Sequence, residues 1–272
     1  MVRTKTIVDK FYNLEYHGRQ LRRPQMKPLA RLVAVAACIA CALTPLSATA
    51  ADAPELPLQV QAEADNLKYS DIAAPGVEFL NYNENTACSF SWAAKDLETG
   101  KEGFLTAGHC GKEGDRVVIH SAPGVDVPIG TIEWSSYESN SKTMHSIDLA
   151  FVAIDRPTLM SSRVPGTSKV PSRVMDDIEY QRVLPDLCKV GKMTGTTCGD
   201  SETEHSTLQR ATFTAPSYPG DSGGPVYAQT KSGELVAVGV FVGVPTGLDD
   251  IASAQVLSKD VQDLYQFEVL TS

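Results

Sequence analysis

Three short stretches of the sequence contain its most informative residues: Gly220-Asp-Ser-Gly-Gly-Pro-Val226, Thr106-Ala-Gly-His-Cys110 and Asp148-Leu-Ala-Phe-Val152. A serine hydroxyl that attacks a carbonyl needs a base within hydrogen-bond reach, a carboxylate that orients this base, and N–H donors for the oxyanion. The glycines around Ser222 let backbone N–H groups turn toward one point, because glycine accepts conformations that other residues avoid. The three stretches together contain all of these groups.

Each stretch taken alone also has a purely structural interpretation. The glycine-rich stretch can be a tight turn, Asp148 can cap a strand end, and His109 can be a half-buried structural imidazole. Asp148 opens an apolar run, however, and a carboxylate at the edge of a buried strand is costly unless a partner satisfies it. The chain order His109, Asp148, Ser222 also differs from the order in subtilisins and α/β-hydrolases. The combination favours nucleophilic catalysis.

Short runs rich in β-branched and aromatic residues surround the three stretches and alternate with turn signals from residue 88 to residue 242. Only residues 258–267 have helical spacing, with Ser258 as a candidate N-cap. Even spacing of short strands without long helices favours an all-β sandwich or barrel. The weakly patterned residues 165–171 are the best candidate for a boundary between two halves.

These residues in this order resemble those of the chymotrypsin/trypsin-like serine proteases, over about residues 76–258. The stretch from Cys188 to Gly199 is most similar to the second disulfide loop of the bacterial streptogrisin and α-lytic branch. The resemblance implies two six-stranded antiparallel β-barrels with a C-terminal helix and an active site in the cleft between them. Residues 76–167 would form the N-terminal barrel, and residues 168–272 the C-terminal barrel and the helix.

The resemblance also implies a role for each residue of the site. Ser222 would be the nucleophile, His109 the general base and then the acid, and Asp148 the group that orients the imidazole. The backbone N–H groups of Gly220 and Ser222 would form the oxyanion hole. The residues expected at the substrate are Pro216, Ser217, Pro219, Phe241, Val242, Gly243 and Val244.

The substrate preference is predicted from the residue six places before the nucleophile, which forms the floor of the primary pocket in the family. This residue is Pro216, which cannot neutralise a cation, and Val244 replaces a common glycine at the pocket wall. We therefore expect small or medium apolar side chains before the scissile bond. The alternative is a preference for Lys or Arg, if Asp249 or Asp250 places a carboxylate in the pocket.

The resemblance further implies a structural ion pair between Asp221 and Lys189, where relatives usually have arginine, in place of a freed N-terminus. Four cysteines follow the leader and allow three disulfide pairings. The resemblance selects Cys88 with Cys110, and Cys188 with Cys198. Metal binding by these cysteines is the competing interpretation, but no CxxC pair or clustered histidine supports it. We expect no metal and no cofactor.

The first 50 residues are predicted to be a signal peptide. They carry a basic stretch, twelve apolar residues at 32–43 and the small-x-small pattern Ala48-Thr-Ala50. Twelve residues span about 18 Å as a helix, short of the roughly 30 Å hydrocarbon core, which disfavours the alternative of a membrane anchor. Residues 51–75, acidic and rich in alanine and proline, are predicted to be a linker or a short propeptide.

The distribution of charged residues along the sequence limits the classes of partner that the protein is expected to bind. The leader holds eight basic and two acidic residues, so the remaining 222 residues carry a net charge of −15, against −9 for the whole chain. An acidic body disfavours nucleic-acid binding. The sequence thus predicts a secreted, bacterial-type monomer without a stable membrane anchor that acts on proteins or peptides. The expected activity is endopeptidase cleavage through an acyl-enzyme. The alternative is a catalytically impaired, protease-like binding or surface protein, which Val242 favours because relatives usually have a serine there that helps to hold the aspartate.

Overall fold

The computed structural model describes residues 66–137, 146–182, 186–248 and 250–272. The predicted signal peptide and most of the predicted linker lie outside these residues, so both stay predictions. Among the residues that are described, no helix is long and apolar enough to cross a membrane.

The described residues form two curled β-sheets with little helix, which confirms the predicted all-β fold of two barrels. The strands of the first half are β1 Glu78–Asn81, β2 Thr86–Ser89, β3 Ala93–Asp96, β4 Glu102–Thr106, β5 Arg116–Ala122, β6 Val125–Ser135 and β7 Ala150–Ile154. The elements of the second half are β8 Arg173–Val174, α1 Asp177–Arg182, β9 Leu187–Gly191, β10 Gly195–Gly199, β11 Arg210–Thr214, β12 Pro225–Gln229, β13 Leu235–Gly243, β14 Ile251–Val256, α2 Lys259–Tyr265 and β15 Phe267–Val269.

The sheets have eight and seven strands rather than six each. The first has the order β15-β3-β4-β7-β6-β5-β1-β2 and is antiparallel throughout. The second has the order β10-β9-β12-β13-β14-β11, with the two-residue β8 paired in parallel to β13. Apart from β8, the strand pairs of both sheets are antiparallel, as the predicted fold requires.

The chain ends in the first sheet, although the sequence assigned residues 168–272 to the second barrel. Helix α2 lies within the predicted helical segment, and Ser258 caps it by accepting a hydrogen bond from the N–H of Val261 at 3.3 Å. Gln266 follows with a left-handed φ of +53°, which ends the helix and turns the chain. The last strand then pairs with β3, with Glu268 opposite Lys95.

Buried aromatic side chains fill the first barrel and join it to the second sheet. The rings of Phe79 and Phe104 pack on either side of Phe90, with centroid distances of 4.8 and 4.9 Å. Trp92 is fully buried, and its indole N–H donates a hydrogen bond of 2.9 Å to the carbonyl of Gly239 on β13. This bond connects the segment between β2 and β3 to β13, the strand that leads into the candidate substrate site.

Candidate active site

His109 and Asp148 come from two segments of the first barrel that pack directly against each other. His109 lies in a 3₁₀ turn, Gly108–Cys110, just after β4, and Asp148 lies just before β7. A Cβ at Gly108 would come within 2.9 Å of the backbone nitrogen of Leu149, so only glycine allows the two segments to approach this closely. The pairing of β4 with β7 thus carries the histidine and the aspartate to the same place.

Both carboxylate oxygens of Asp148 accept hydrogen bonds from His109. The backbone N–H of His109 donates to Oδ1 at 2.9 Å, and its Nδ1 lies 2.8 Å from Oδ2. Burial would raise the pKa of Asp148, but the hydrogen bonds and the charge of His109, with the charge of Arg210, hold the pKa below its ordinary value. Asp148 therefore stays ionised at neutral pH and can orient the imidazole.

Ser222 lies in a loop that is pinned to both sheets. The carbonyl of Ser222 accepts a hydrogen bond of 2.7 Å from the N–H of Ser89, and the N–H of Gly223 donates to Phe241 at 2.7 Å. Gly223 has a φ of +90°, and a Cβ there would meet the carbonyl of Ser89 and the hydroxyl of Thr106 at 2.2 Å. Glycine is required at this position for both reasons.

The structure brings Ser222 close to the segment of His109 but does not join their side chains. The carbonyl oxygen of Ser222 lies 4.0 Å from Sγ of Cys110, the neighbour of His109. Among the described residues, no hydrogen bond connects the hydroxyl of Ser222 with the imidazole. Catalytic hydrogen bonds are often long in unliganded proteins and shorten when the substrate binds.

The N–H groups predicted to form the oxyanion hole have no acceptor in the described part of the protein. Neither the N–H of Gly220 nor that of Ser222 donates to a protein atom there, whereas the N–H of Asp221 between them donates to Tyr218 at 3.0 Å. Gly220 has a φ of +107°, which favours glycine. Two unpaired donors two residues apart in a loop with this conformation are suited to bind an oxyanion.

The predicted partner of Asp221 is in contact with it. Nζ of Lys189 lies 2.8 Å from Oδ2 of Asp221, and both side chains are completely buried. Thr194 completes the cluster, because its hydroxyl donates to Oδ2 at 2.8 Å and accepts from Nζ of Lys189 at 2.6 Å. Oδ1 accepts from the N–H of Met193 at 2.9 Å. Burial lowers the pKa of Lys189, and the charge of Asp221 opposes that shift.

The residues predicted to contact substrate divide between two cavities. Pro216 and Ser217 line one of about 430 Å³, together with the exposed side chain of Asp250. Val242, Gly243 and Val244 line another of about 210 Å³. The second cavity also contains Asp148, Arg210 and Ser253. Pro219 is exposed and Phe241 is buried, and neither lines these two cavities. Asp249 lies outside the described residues.

Both predicted disulfides are present in the structure. The sulfur atoms of Cys88 and Cys110 are 2.01 Å apart, and those of Cys188 and Cys198 are 1.96 Å apart. Sγ of Cys88, Sγ of Cys110 and a ring nitrogen of His109 cluster within 4.8 Å of one another. This cluster is a poor metal site, because the thiolate is the form of cysteine that ligates metals and both sulfurs are oxidised.

Two further residues, Arg210 and Gln255, lie at the site and are not predicted from the sequence. They face each other across β11 and β14, and both contact the segment that leads to Asp148. No motif marks them. The one available signal is that Arg210 is a charged residue inside the strand-type run Leu208-Gln-Arg-Ala-Thr-Phe213, where a buried unpaired charge would be costly.

The two sheets and the placement of His109, Asp148 and the Ser222 loop define the two-barrel fold of the chymotrypsin-like serine proteases. No protein-family model matches the chain, and no curated protein matches it. Several solved structures, in contrast, are similar to this chain. Protease A of Thermobifida fusca is 22% identical with a TM-score of 0.53 and covers 74% of this chain and 100% of its own. A Nocardiopsis protease is 21% identical with a TM-score of 0.54, covering 73% and 99%. Cellulomonas bogoriensis chymotrypsin is 22% identical with a TM-score of 0.50, covering 74% and 99%. At these identities the likeness establishes the fold.

Proposed function

We propose that the protein is a secreted serine endopeptidase in which Ser222, His109 and Asp148 form the catalytic triad. The observation that carries this proposal is the pair of hydrogen bonds from His109 to the two oxygens of Asp148. Because the carboxylate holds the proton on Nδ1, the neutral imidazole keeps its lone pair on Nε2, where a base is needed. The structural similarity to bacterial serine proteases, at 21–22% sequence identity, also supports this proposal.

The reaction would proceed in two halves. Nε2 of His109 takes the proton of Ser222 as its Oγ attacks the carbonyl, and the resulting imidazolium then gives this proton to the leaving amine. The acyl-enzyme that remains is hydrolysed by water, which His109 activates in the same way. Asp148 stabilises the imidazolium in both halves without itself taking the proton.

The oxyanion would be bound by the N–H groups of Gly220 and Ser222. Removal of one such donor typically costs about 10²–10³ in kcat, so the conformation of this loop matters as much as the triad. Asp221 accepts hydrogen bonds from Tyr218, Met193 and Thr194 while paired with Lys189, which fixes the loop without a freed N-terminus.

The proposed location is outside the cytoplasm. Two disulfides fit an oxidising compartment, and the predicted signal peptide would provide export. Protein or peptide segments would be the substrates. The end of β13 and the residue that follows it, Phe241 to Val244, would pair with the substrate backbone as an added strand.

The proposed preference is for small or medium apolar side chains before the scissile bond. Pro216 and Ser217 at the cavity of 430 Å³ cannot neutralise a cation. Asp250 lines the same cavity, but its side chain is exposed, and a hydrated carboxylate attracts a cation only weakly. A strong selection of lysine or arginine would require a desolvated carboxylate.

A second candidate is a binding protein of the same fold that lacks catalysis. Two observations favour it: Val242 supplies no hydroxyl beside Asp148, and no hydrogen bond joins Ser222 to His109 among the described residues. The two candidates differ in whether Ser222 is reactive.

A fluorophosphonate probe separates the two candidates. The exported protein and the variants Ser222→Ala and Ser232→Ala would be treated with the probe and assayed on a peptide library. Ser232 is the matched control, because it lies in the exposed turn between β12 and β13. The endopeptidase proposal requires labelling and turnover in the wild type and in Ser232→Ala, and neither in Ser222→Ala. A folded wild type that neither labels nor cleaves would establish the binding protein instead.

A further inference from the structure

Two facing residues of the second barrel hold the segment that carries Asp148. Arg210 and Gln255 are direct partners in the register of β11 and β14. Nη2 of Arg210 donates a hydrogen bond of 2.7 Å to the carbonyl of Ser146, and Oε1 of Gln255 accepts from the N–H of Asp148 at 3.2 Å. Residues 146–148 are thus bound to the second barrel at both ends, at the point where the chain enters β7.

Burial and backbone hydrogen bonds hold Arg210 in place. Only 8% of the residue is exposed, and its N–H donates to the hydroxyl of Thr207 at 3.0 Å. Its carbonyl accepts a hydrogen bond of 2.8 Å from the hydroxyl of Tyr180. Nη1 of Arg210 is buried without a hydrogen-bond partner. A buried guanidinium with an unused donor is costly, so a nearby negative charge is needed to offset its burial.

Asp148 is that charge. Arg210 and Asp148 line the same cavity of about 210 Å³ beside Val242. Burial lowers the pKa of Arg210, and the charge of Asp148 opposes this shift. In the other direction, burial would raise the pKa of Asp148, and Arg210 acts with His109 to lower it. Each of the two buried charges therefore compensates the other.

Among the described residues, His109 and Arg210 are the charged groups that lower the pKa of Asp148. His109 is the one hydrogen-bond donor to the carboxylate of Asp148 among the described residues. Val242 in the same cavity has no donor to offer, and the hydroxyl of Ser253 there makes no hydrogen bond to the carboxylate. The other titratable side chains near the group, within the described part of the chain, are Tyr137, whose ring centroid lies 5.9 Å from that of His109, and Tyr180. A phenol is neutral at the pH of catalysis. Asp177 and Asp260 line a separate cavity with Tyr180, and neither lines the cavity of Asp148. Arg210 is thus the permanent positive charge that lines the same cavity as Asp148.

We propose that Arg210 is a positioning residue for catalysis. Its charge holds Asp148 ionised and its hydrogen bond to Ser146 holds the segment of Asp148 in place, at a site where Val242 on β13 supplies no hydroxyl. The inference rests on the proposed endopeptidase function. Arg210 lies on β11, outside the three sequence stretches that contain the triad, so the proposal adds this strand to the active site.

The kinetic test compares Arg210→Met, Arg210→Lys and the matched control Arg173→Met, which loses an exposed ion pair with Glu179. Arg210→Met should lower kcat by about 10- to 100-fold, the loss that a misplaced catalytic group causes, with KM changed little. Loss of the positive charge also makes the His109–Asp148 pair easier to protonate, so the acid limb of kcat/KM should move to higher pH by about half a unit or more. Arg210→Lys should keep the acid limb of the wild type, and Arg173→Met should change neither kcat nor the limb.

Combining Arg210→Met with Asp148→Asn distinguishes a role in catalysis from a role in folding alone. If Arg210 acts through the charge of Asp148, adding Arg210→Met to Asp148→Asn should change kcat by no more than about 2-fold. This double variant leaves no uncompensated buried charge, so it serves even where Arg210→Met alone does not fold. A further 10-fold loss in the double variant would overturn the proposal, as would a folded Arg210→Met with the kcat and the acid limb of the wild type.

The proposed function has a separate control. A wild type that turns over while Ser222→Ala does not establishes the endopeptidase, and the Arg210 variants then test the positioning role alone. A wild type without turnover or fluorophosphonate labelling removes both proposals.

Discussion

Lys189 and Asp221 form an ion pair of 2.8 Å from which solvent is completely excluded. The ammonium of Lys189 also lies 5.1 Å from the centroid of the Phe241 ring. The pair therefore touches two predicted parts of the site, the loop of the nucleophile and the base of the strand expected to bind substrate. Lysine can replace the arginine that relatives usually have here, because its ammonium contacts both Asp221 and the hydroxyl of Thr194.

Lys189→Met should destabilise the protein and lower its activity together. Loss of one partner leaves the other charge buried and unpaired, which typically costs about 3–5 kcal/mol of unfolding free energy. The loop would then no longer hold the N–H groups of Gly220 and Ser222 in place, so kcat should fall even where the variant is folded. Urea unfolding followed by fluorescence, and kcat measured well below the transition, test the two effects.

The control for this variant is Lys101→Met, which removes an exposed ion pair with Glu133. It should unfold at the same urea concentration as the wild type, because exposed pairs contribute little. Wild-type stability and kcat in Lys189→Met would show that the loop does not depend on this pair.

Asp148→Asn should abolish most activity even under conditions where the variant is folded. It should also lower the free energy of unfolding, because the buried guanidinium of Arg210 loses the charge that compensates it. The substitution keeps the shape of the side chain but favours the wrong tautomer of His109, and the expected loss of about 10⁴ in kcat is borrowed from the known triad of chymotrypsin-like proteases. Asp126→Asn, at an exposed position on β6, is the matched control and should keep the wild-type rate. A loss below about 10-fold in Asp148→Asn would mean that His109 is oriented by another group.

The sequence analysis predicted the parts of the site that are local in the chain. The turn at His109, the loop at Ser222 and the run that follows Asp148 each depend on glycine conformations or on apolar patterns within a few residues. The pair of Lys189 and Asp221 was inferred from a family resemblance, and the structure places the two side chains in contact.

What could not be predicted are contacts that depend on strand register. Arg210 reaches Ser146 because β11 pairs with β14 in one register, and a shift by one residue would turn the side chain to the other face. The pairing of β15 with β3 is likewise a contact between the end of the chain and residues about 170 positions earlier. No local pattern encodes such a contact.

Asp96 should make the stability of the protein depend on acid pH. Burial would raise the pKa of its carboxyl, but hydrogen bonds from Thr99, Trp134 and Glu98 hold the pKa below the ordinary 3.8. Its stabilisation is thus fully present above the unfolded value and is lost as pH falls through the lower folded value. The wild type should exceed Asp96→Asn in unfolding free energy at pH 7, and this difference should shrink below pH 3.8.

Chemical denaturation of both proteins between pH 7 and pH 2.5 measures this difference, with Asp71→Asn, at an exposed aspartate, as the control. A gap between the wild type and Asp96→Asn that stays constant over this range would contradict a role for the ionised carboxylate in the turn between β3 and β4.

Asp250→Asn should alter the substrate preference only slightly. Chromogenic peptides that end in Ala, Leu, Phe or Arg before the scissile bond should be cleaved best at Ala or Leu, because Pro216 and Ser217 offer no charge to an ammonium or guanidinium. An exposed carboxylate contributes about 0–1 kcal/mol to an ion pair, so Asp250→Asn should reduce cleavage after Arg by less than about 5-fold. The control Asp263→Asn makes the same change of net charge on helix α2, and its effect on Arg substrates should be the same within error. A clear preference of the wild type for Arg that Asp250→Asn abolishes and Asp263→Asn leaves intact would instead show that Asp250 is desolvated when substrate binds, and that the carboxylate rather than Pro216 sets the preference of the pocket.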